Sequence, residues 1–432
     1  MLFSLKSALT ALLLSSPLVN AHPRHAARDE SEWVTVWGAM PQLTEPANLP
    51  PAPFNETGRV FDDATLRQTV KVSLPTSTLR LQISNVFGIS DLPITAVTIA
   101  RAANNTAGTS AIDPSSLQIV TFSGAGDFIV PNGAVVFSDP IDLQVAGESI
   151  VSISIYLATG QTTNSITSHP GSRTTSFLAK GNRVADAGFA GNATRTDHWY
   201  LISALEARLP QGSGRAVVVV GDSISDGRGS TTNANNRWPD ALLARLRGNA
   251  GTAGVAVVNE AAGGNRVLAD GLGPNALGRI DRDVLTHTGV RYAVIFIGVN
   301  DIGTADTAAA AQEIVGARLV AAYRQMAARL QRFGIAVFGA TITPFSGDGQ
   351  AYADPERERT RQRVNEWIRG FAGFDAVVDF DEIVRDPAAP ERLRTEFDTG
   401  DHLHLNPAGY EAMAAGVDLG IFETFKDGVQ GR

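Results

Sequence analysis

The chain has 432 residues, 44% hydrophobic and 19% charged, with a formal net charge of −8 and no cysteine. That length suits two domains, each able to bury a core. The acid excess and the lack of a long basic run argue against a nucleic-acid or anionic-membrane partner, and the absence of cysteine excludes thiol nucleophiles, thiolate metal sites and disulfides.

The chain opens on "MLFSLKSALTALLLSSPLVNA", with Lys6 ahead of an apolar stretch over about 8–19 and small residues near Ala21. This pattern predicts a secretory signal peptide over 1–21, cut after Ala21, and hence a secreted, extracellular protein. A membrane anchor fits less well, because the stretch is short and interrupted by Ser15, Ser16 and Pro17. Residues 22–32, "HPRHAARDESE", read as a flexible leader or pro-segment. From 33 to 209 the texture is short alternating runs split by Gly, Pro, Asn and Asp, such as "STLRLQISNVFG" and "SIVSISIYLA". Period-two alternation at this spacing predicts an all-β sandwich of jelly-roll type. Sequons at Asn55, Asn104 and Asn192 lie in this region and are candidate glycan sites in a secreted chain.

The stretch "LPQGSGR" over 209–215 reads as a linker, and beyond it the pattern changes. Strand-like runs at 216–220, 255–261, 292–298, 335–345 and 376–380 alternate with helical ones, notably near 307–333 and at 355–371. Such alternation over 215–425 predicts a parallel, doubly wound α/β domain. In that architecture ligands gather at the carboxyl ends of the strands.

Four polar segments fall at those ends or on a late loop able to return there. They are "GDSISDG" at 221–227, "NEAAGGNRVL" at 259–268, "GVND" at 298–301 and "DHLHLNPAGY" at 401–410. Acyl transfer needs a hydroxyl nucleophile, a base, a group to orient the base, and donors for an oxyanion. Ser223 is the candidate nucleophile and His404 the candidate base, with Asp401 three residues before it to hold the imidazole. The backbone N–H groups of Ser223 and Gly264 and the amide of Asn300 are candidate oxyanion donors. Asp222, Asp226 and Asp301 read as turn or cap groups. His402 competes with His404, but the D-x-x-H spacing favours His404. With no cysteine and seven scattered histidines, no metal site is expected. Position 225 is Ser rather than Gly, so the G-x-S-x-G elbow of α/β-hydrolases is absent.

These ordered blocks, "GDSIS", "AAGGNRV", "GVND" and "DHLH", resemble those of the SGNH (GDSL) hydrolase family. "TITPF", "VNEWIR", the Trp33–Trp37 opening and the Ser84–Gly88 segment resemble a secreted two-domain esterase subgroup. The resemblance implies a flavodoxin-like α/β/α layer and a serine esterase without metal or cofactor. It also implies Ser223, Asp401 and His404 as the triad, with Ser223, Gly264 and Asn300 at the oxyanion. Two departures stand out. The second block has adjacent Gly263 and Gly264, of which register favours Gly264, and Leu405 stands where Pro is common. The substrate expected is a small-molecule or carbohydrate ester carrying a short acyl group. Longer acyl esters, and a non-catalytic glycan-binding protein, are the alternatives. The β region reads equally as a scaffold, a carbohydrate-binding module or a wall of the acyl pocket.

Overall fold

In the computed structural model, residues 30–430 are described, except 190 and 192. The signal segment 1–21, most of the leader and Asn192 therefore lie outside the described residues. The first strand, Ser31–Gly38, starts two residues inside the stretch read as leader. Its first two residues are polar and carry no alternation, yet Ser31 and Glu32 pair with Pro210 and Leu209.

The region before 210 is all β. One antiparallel sheet runs in the order Ser31–Gly38, Ile202–Pro210, Thr76–Ser84, Ile141–Val145, with Val135–Phe137 also on Thr76–Ser84. A second, six-stranded sheet is centred on Ala64–Lys71 and Ile150–Leu157. Alternate residues explain the layering: Leu79, Leu81 and Ile83 of the first sheet, and Leu66, Val151, Ile153 and Ile155 of the second, are buried in a shared core. A small sheet of Gln42–Leu43, Thr167–His169 and Trp199–Tyr200 completes this region. It reaches the functional cleft.

The later part is a five-stranded parallel sheet in the order Val255–Asn259, Arg215–Gly221, Val290–Phe296, Ala336–Ala340, Ala376–Val378. In chain order this is 2-1-3-4-5, the flavodoxin-like winding, whose switch point lies beside the first strand. Val217 to Val220 are fully buried because helices cover both faces. The helix Pro355–Gly370 starts where Asp354 accepts the N–H groups of Glu356 and Arg357, with Pro at its first position. The expected strand over 335–345 ends at Ala340. Thr341 still bonds the Val378 carbonyl, but the Ile342 N–H goes to the Asn365 side chain instead of a neighbouring strand. Pro344 has no N–H to continue a ladder.

Residues 210–215 form a tight turn, with Ser213 N–H bonded to the Pro210 carbonyl. Across the seam, Thr35 N–H donates to the Thr288 carbonyl at 3.0 Å, and Ala39 bridges Asn259. From Ser31 onward the chain forms one compact unit, with one large core cluster and a small satellite of Ala102, Ala107 and Ile150.

Candidate active site

The buried strand Arg215–Gly221 delivers its last residues to the switch point. Asp222 caps the one-turn helix Ser223–Asp226 by accepting the Ile224 N–H at 3.0 Å. This fixes Ser223 at the first helical position. The helix is held from two sides. Trp238 donates its indole N–H to Ser225 Oγ at 3.0 Å, and Asp226 Oδ1 meets His169 Nε2 at 3.0 Å. His169 belongs to the β region, and its Nδ1 faces the Met40 carbonyl at 3.0 Å. The Asp222 carboxyl is pushed up to about 7 by burial, with Asp301 and Asp226 adding to the rise and the Ile224 N–H opposing it.

The late loop returns as its sequence position suggested. Ser223 Oγ lies 2.8 Å from His404 Nε2, and His404 Nδ1 lies 2.6 Å from Asp401 Oδ2. Asp401 Oδ1 accepts the backbone N–H groups of Leu403 and His404 at 3.0 and 2.8 Å. Burial acts to raise the Asp401 carboxyl, yet the hydrogen bonds from His404 outweigh it and bring it down to about 2. An ionised carboxylate on Nδ1 selects the tautomer with a free lone pair on Nε2, facing the hydroxyl. Ser223 and His404 are both buried, at 6% and 5% exposure. Burial lowers the His404 pKa, Asp401 opposes this, and the guanidinium charges of Arg228 and Arg173 lower it further.

The two other predicted residues line the same cleft, whose volume is about 500 Å³. Gly264 has φ +69°, and a Cβ there would stand 2.5 Å from Leu272 Cδ1. The conformation favours glycine, while the crowding falls on the tip of the exposed Leu272 side chain, which can move. Gly263 also lines the cleft, without positive φ. Asn300 starts beside the strand Val290–Phe296, in the helix Val299–Thr304. Its Nδ2 donates one proton to the Asn265 carbonyl at 3.0 Å, and its Oδ1 accepts the Tyr352 hydroxyl at 3.0 Å. The second Nδ2 proton stays available for a ligand.

The competing assignments separate cleanly. His402 is engaged with Asp398 at 2.6 Å and is not part of the cleft lining. Asp301 accepts the N–H groups of Val267 and Leu268, so it shapes the second-block loop. Glu260 is buried against His287. Asn104 is exposed and Asn55 half-buried. Among the described residues, no group of three or more His, Asp or Glu is placed to hold a metal ion, and no helix is long and apolar enough to cross a membrane.

Of the readings open for the β region, the pocket wall is the one seen: Gln42, Glu45, Asn48, Pro170, Gly171, Arg173 and His198 line one side of the cleft. None of these residues was singled out in the sequence, whereas the "SNVFG" segment is turned to structural use. Asn85 in it donates to the carbonyls of Ser90, Val130 and Pro131. Arg228 also lines the cleft, and its place directly after the first block was the one available signal. Arg279, fully buried, donates to the carbonyls of Gly221 and Glu260, to Asn265 Oδ1 and to Asp283. It ties together the strand ends beneath the site.

Residues 219–412 match the GDSL-like lipase/acylhydrolase family. No curated protein matches the chain. Among solved structures, the lipase/acylhydrolase from Enterococcus faecalis is similar at 21% identity and a TM-score of 0.36, over 50% of this chain and 99% of that one. A GDSL-like lipase from Bacteroides thetaiotaomicron is similar at 17% identity and a TM-score of 0.35, over 49% and 89%. A carbohydrate acetylesterase from Sinorhizobium meliloti is similar at 14% identity and a TM-score of 0.36, over 46% and 94%.

Proposed function

We propose, from the match of residues 219–412 to the GDSL-like lipase/acylhydrolase family, that the protein is a secreted serine esterase acting on short acyl esters of a polar alcohol such as a carbohydrate. The observation that carries the reading is the relay of Ser223 Oγ, His404 and Asp401, linked by contacts of 2.8 and 2.6 Å inside a cleft that Gly264 and Asn300 also line.

Ser223 Oγ attacks the ester carbonyl carbon as its proton passes to His404 Nε2. The oxyanion accepts hydrogen bonds from the Ser223 and Gly264 backbone N–H groups and from Asn300 Nδ2. The bond to the alcohol oxygen breaks as His404 returns the proton to that oxygen, leaving acyl-Ser223. Water then attacks the acyl carbon and gives its proton to His404. The second collapse frees the acid and restores the Ser223 hydroxyl.

The lining favours a short acyl group and a hydroxylated alcohol. Polar side chains from Gln42, Glu45, Asn48, Arg173, His198 and Arg228 stand beside apolar surface that includes Leu272, Leu403, Tyr352 and Pro170. The test is hydrolysis of p-nitrophenyl esters from acetate to palmitate. Highest kcat/KM on acetate to butyrate is expected; a maximum at palmitate would replace this reading with a lipase. Absence of all turnover would shift weight to a non-catalytic glycan-binding protein.

The acid limb of the kcat/KM profile reports the base, which must be neutral to take the Ser223 proton. Because the His404 pKa is lowered, activity should be lost on acidification with a midpoint below the ordinary imidazole value of 6.5. A midpoint above that value would contradict the assignment. Secretion rests on the sequence pattern of residues 1–21, and N-terminal sequencing of protein from the culture medium should start at His22 or beyond. The sequons at Asn55, Asn104 and Asn192 are the proposed glycan positions in such material.

A further inference from the structure

The charges in the cleft are unequally used. Three carboxylates lie in or beside it, and each has at least one oxygen held by protein groups, although Asp226 Oδ2 is buried without a hydrogen-bond partner. Asp401 is held by His404 and two backbone N–H groups. Glu45 accepts the side-chain amides of Gln42 and Asn48. Asp226 has Oδ1 on His169, and its Oδ2 is buried against Gly171. The cleft also holds two guanidinium groups, Arg173 and Arg228. Neither makes an ion pair or a side-chain hydrogen bond among the described residues, and the Nε of Arg173 is buried with no partner at all. The two arginines are balanced in number by the lining carboxylates Glu45 and Asp226, but they make no ion pair with them, so their guanidinium donors remain free for an occupant.

Their backbones are fixed as for a ligand. Arg173 sits at φ +49°, a conformation costly for a residue with a Cβ. It is kept there by the Asn233 N–H on its carbonyl and by Ser172 Oγ bridging the N–H and carbonyl of Thr174. Arg228 lies between Gly227 and Gly229, both at positive φ, directly after the helix that carries Ser223. Its N–H bonds the Ser223 carbonyl at 2.9 Å and its carbonyl accepts the Tyr410 hydroxyl. One arginine therefore comes from the β wall and the other from the nucleophile's own turn. The charge of both is felt at His404, which places them within electrostatic reach of the reacting ester.

We propose that the cleft selects esters whose own body carries a carboxylate, held between Arg173 and Arg228 while the ester carbonyl sits at Ser223. This deepens the ester-hydrolase reading above and rests on it. A carboxylate suits the planar guanidinium fork, which can meet both of its oxygens. Its charged oxygen would accept from the buried Arg173 Nε–H in a stronger, charge-assisted bond than a neutral hydroxyl makes.

The test compares two acetyl esters of similar shape, 4-acetoxybenzoate and 4-acetoxybenzamide, which differ in that charge. Wild type should favour the benzoate in kcat/KM by at least about tenfold, and rising salt should shrink the ratio. Arg228→Gln, whose side chain is exposed, and Arg173→Gln should each move the ratio toward one. Arg173→Lys, which keeps the charge without the fork, should retain part of it and guards against misfolding of the glutamine variant. A wild-type ratio at or below one, or a ratio indifferent to both substitutions, overturns the proposal. Hydrolysis of neither ester by wild type overturns the esterase reading itself, and this inference falls with it.

Discussion

Ser223→Ala should lose ester hydrolysis by a factor of about 10⁴–10⁶ in kcat while unfolding within about 1 kcal/mol of wild type. The serine's structural duties are carried by its backbone. Its carbonyl accepts the N–H groups of Gly227 and Arg228, and alanine keeps both bonds. The side chain makes one hydrogen bond, to His404 Nε2, and water in the cleft can replace the lost hydroxyl. Loss of rate therefore reports chemistry rather than collapse. Groups that act as one unit are not additive, so His404→Ala added to Ser223→Ala should cost little more. Paired measurements of kcat and urea unfolding check both statements. Activity within tenfold of wild type in Ser223→Ala would mean that another group is the nucleophile.

The second large effect is on stability. Arg279→Leu should cost about 3–5 kcal/mol, because removing one member of a buried ion pair leaves the other uncompensated. The Arg279 side chain is fully buried, and Asp283 is 1% exposed. Arg282 also contacts Asp283, which softens the loss of charge but not of geometry. The carbonyls of Gly221 and Glu260 and the amide oxygen of Asn265 would each lose a donor. Asn265 in turn holds the Leu272 and Pro274 carbonyls and accepts from Asn300, so the same change should disturb the proposed oxyanion donors. Arg279→Lys, with the charge but not the fork, should fall between. A urea-unfolding loss below about 1 kcal/mol would show that water replaces the arginine.

The parallel sheet and the residues at its ends were legible because local rules govern them. Four consecutive valines followed by turn residues mark a two-faced buried strand and its carboxyl end, and Asp401 and His404 are near enough in sequence for spacing to join them. The far wall of the cleft was not legible. Alternation in the β region reveals strands, but not which loops face another sheet, and "PGSR" at 170–173 looks like any polar turn. Nor does sequence reveal that Arg279 is inside, because two of its four partners are backbone carbonyls, which every residue carries. "TITPF" illustrates the opposite failure. Its β-branched residues suit a strand, but a side chain, Asn365, takes the bond that a neighbouring strand would have made.

The seam between the two sheets has a temporal consequence. The strand Ser31–Gly38 finds its sheet partner only at Ile202–Pro210, and Thr35 meets Thr288 across 253 positions of chain. At translation rates of about 5–20 residues per second, the first strand waits for its second partner for roughly 13–50 seconds. During that interval Val34 and Val36, fully buried in the finished protein, have no core to enter. The apolar residues of this first strand thus stay open to mispairing until residue 288 emerges.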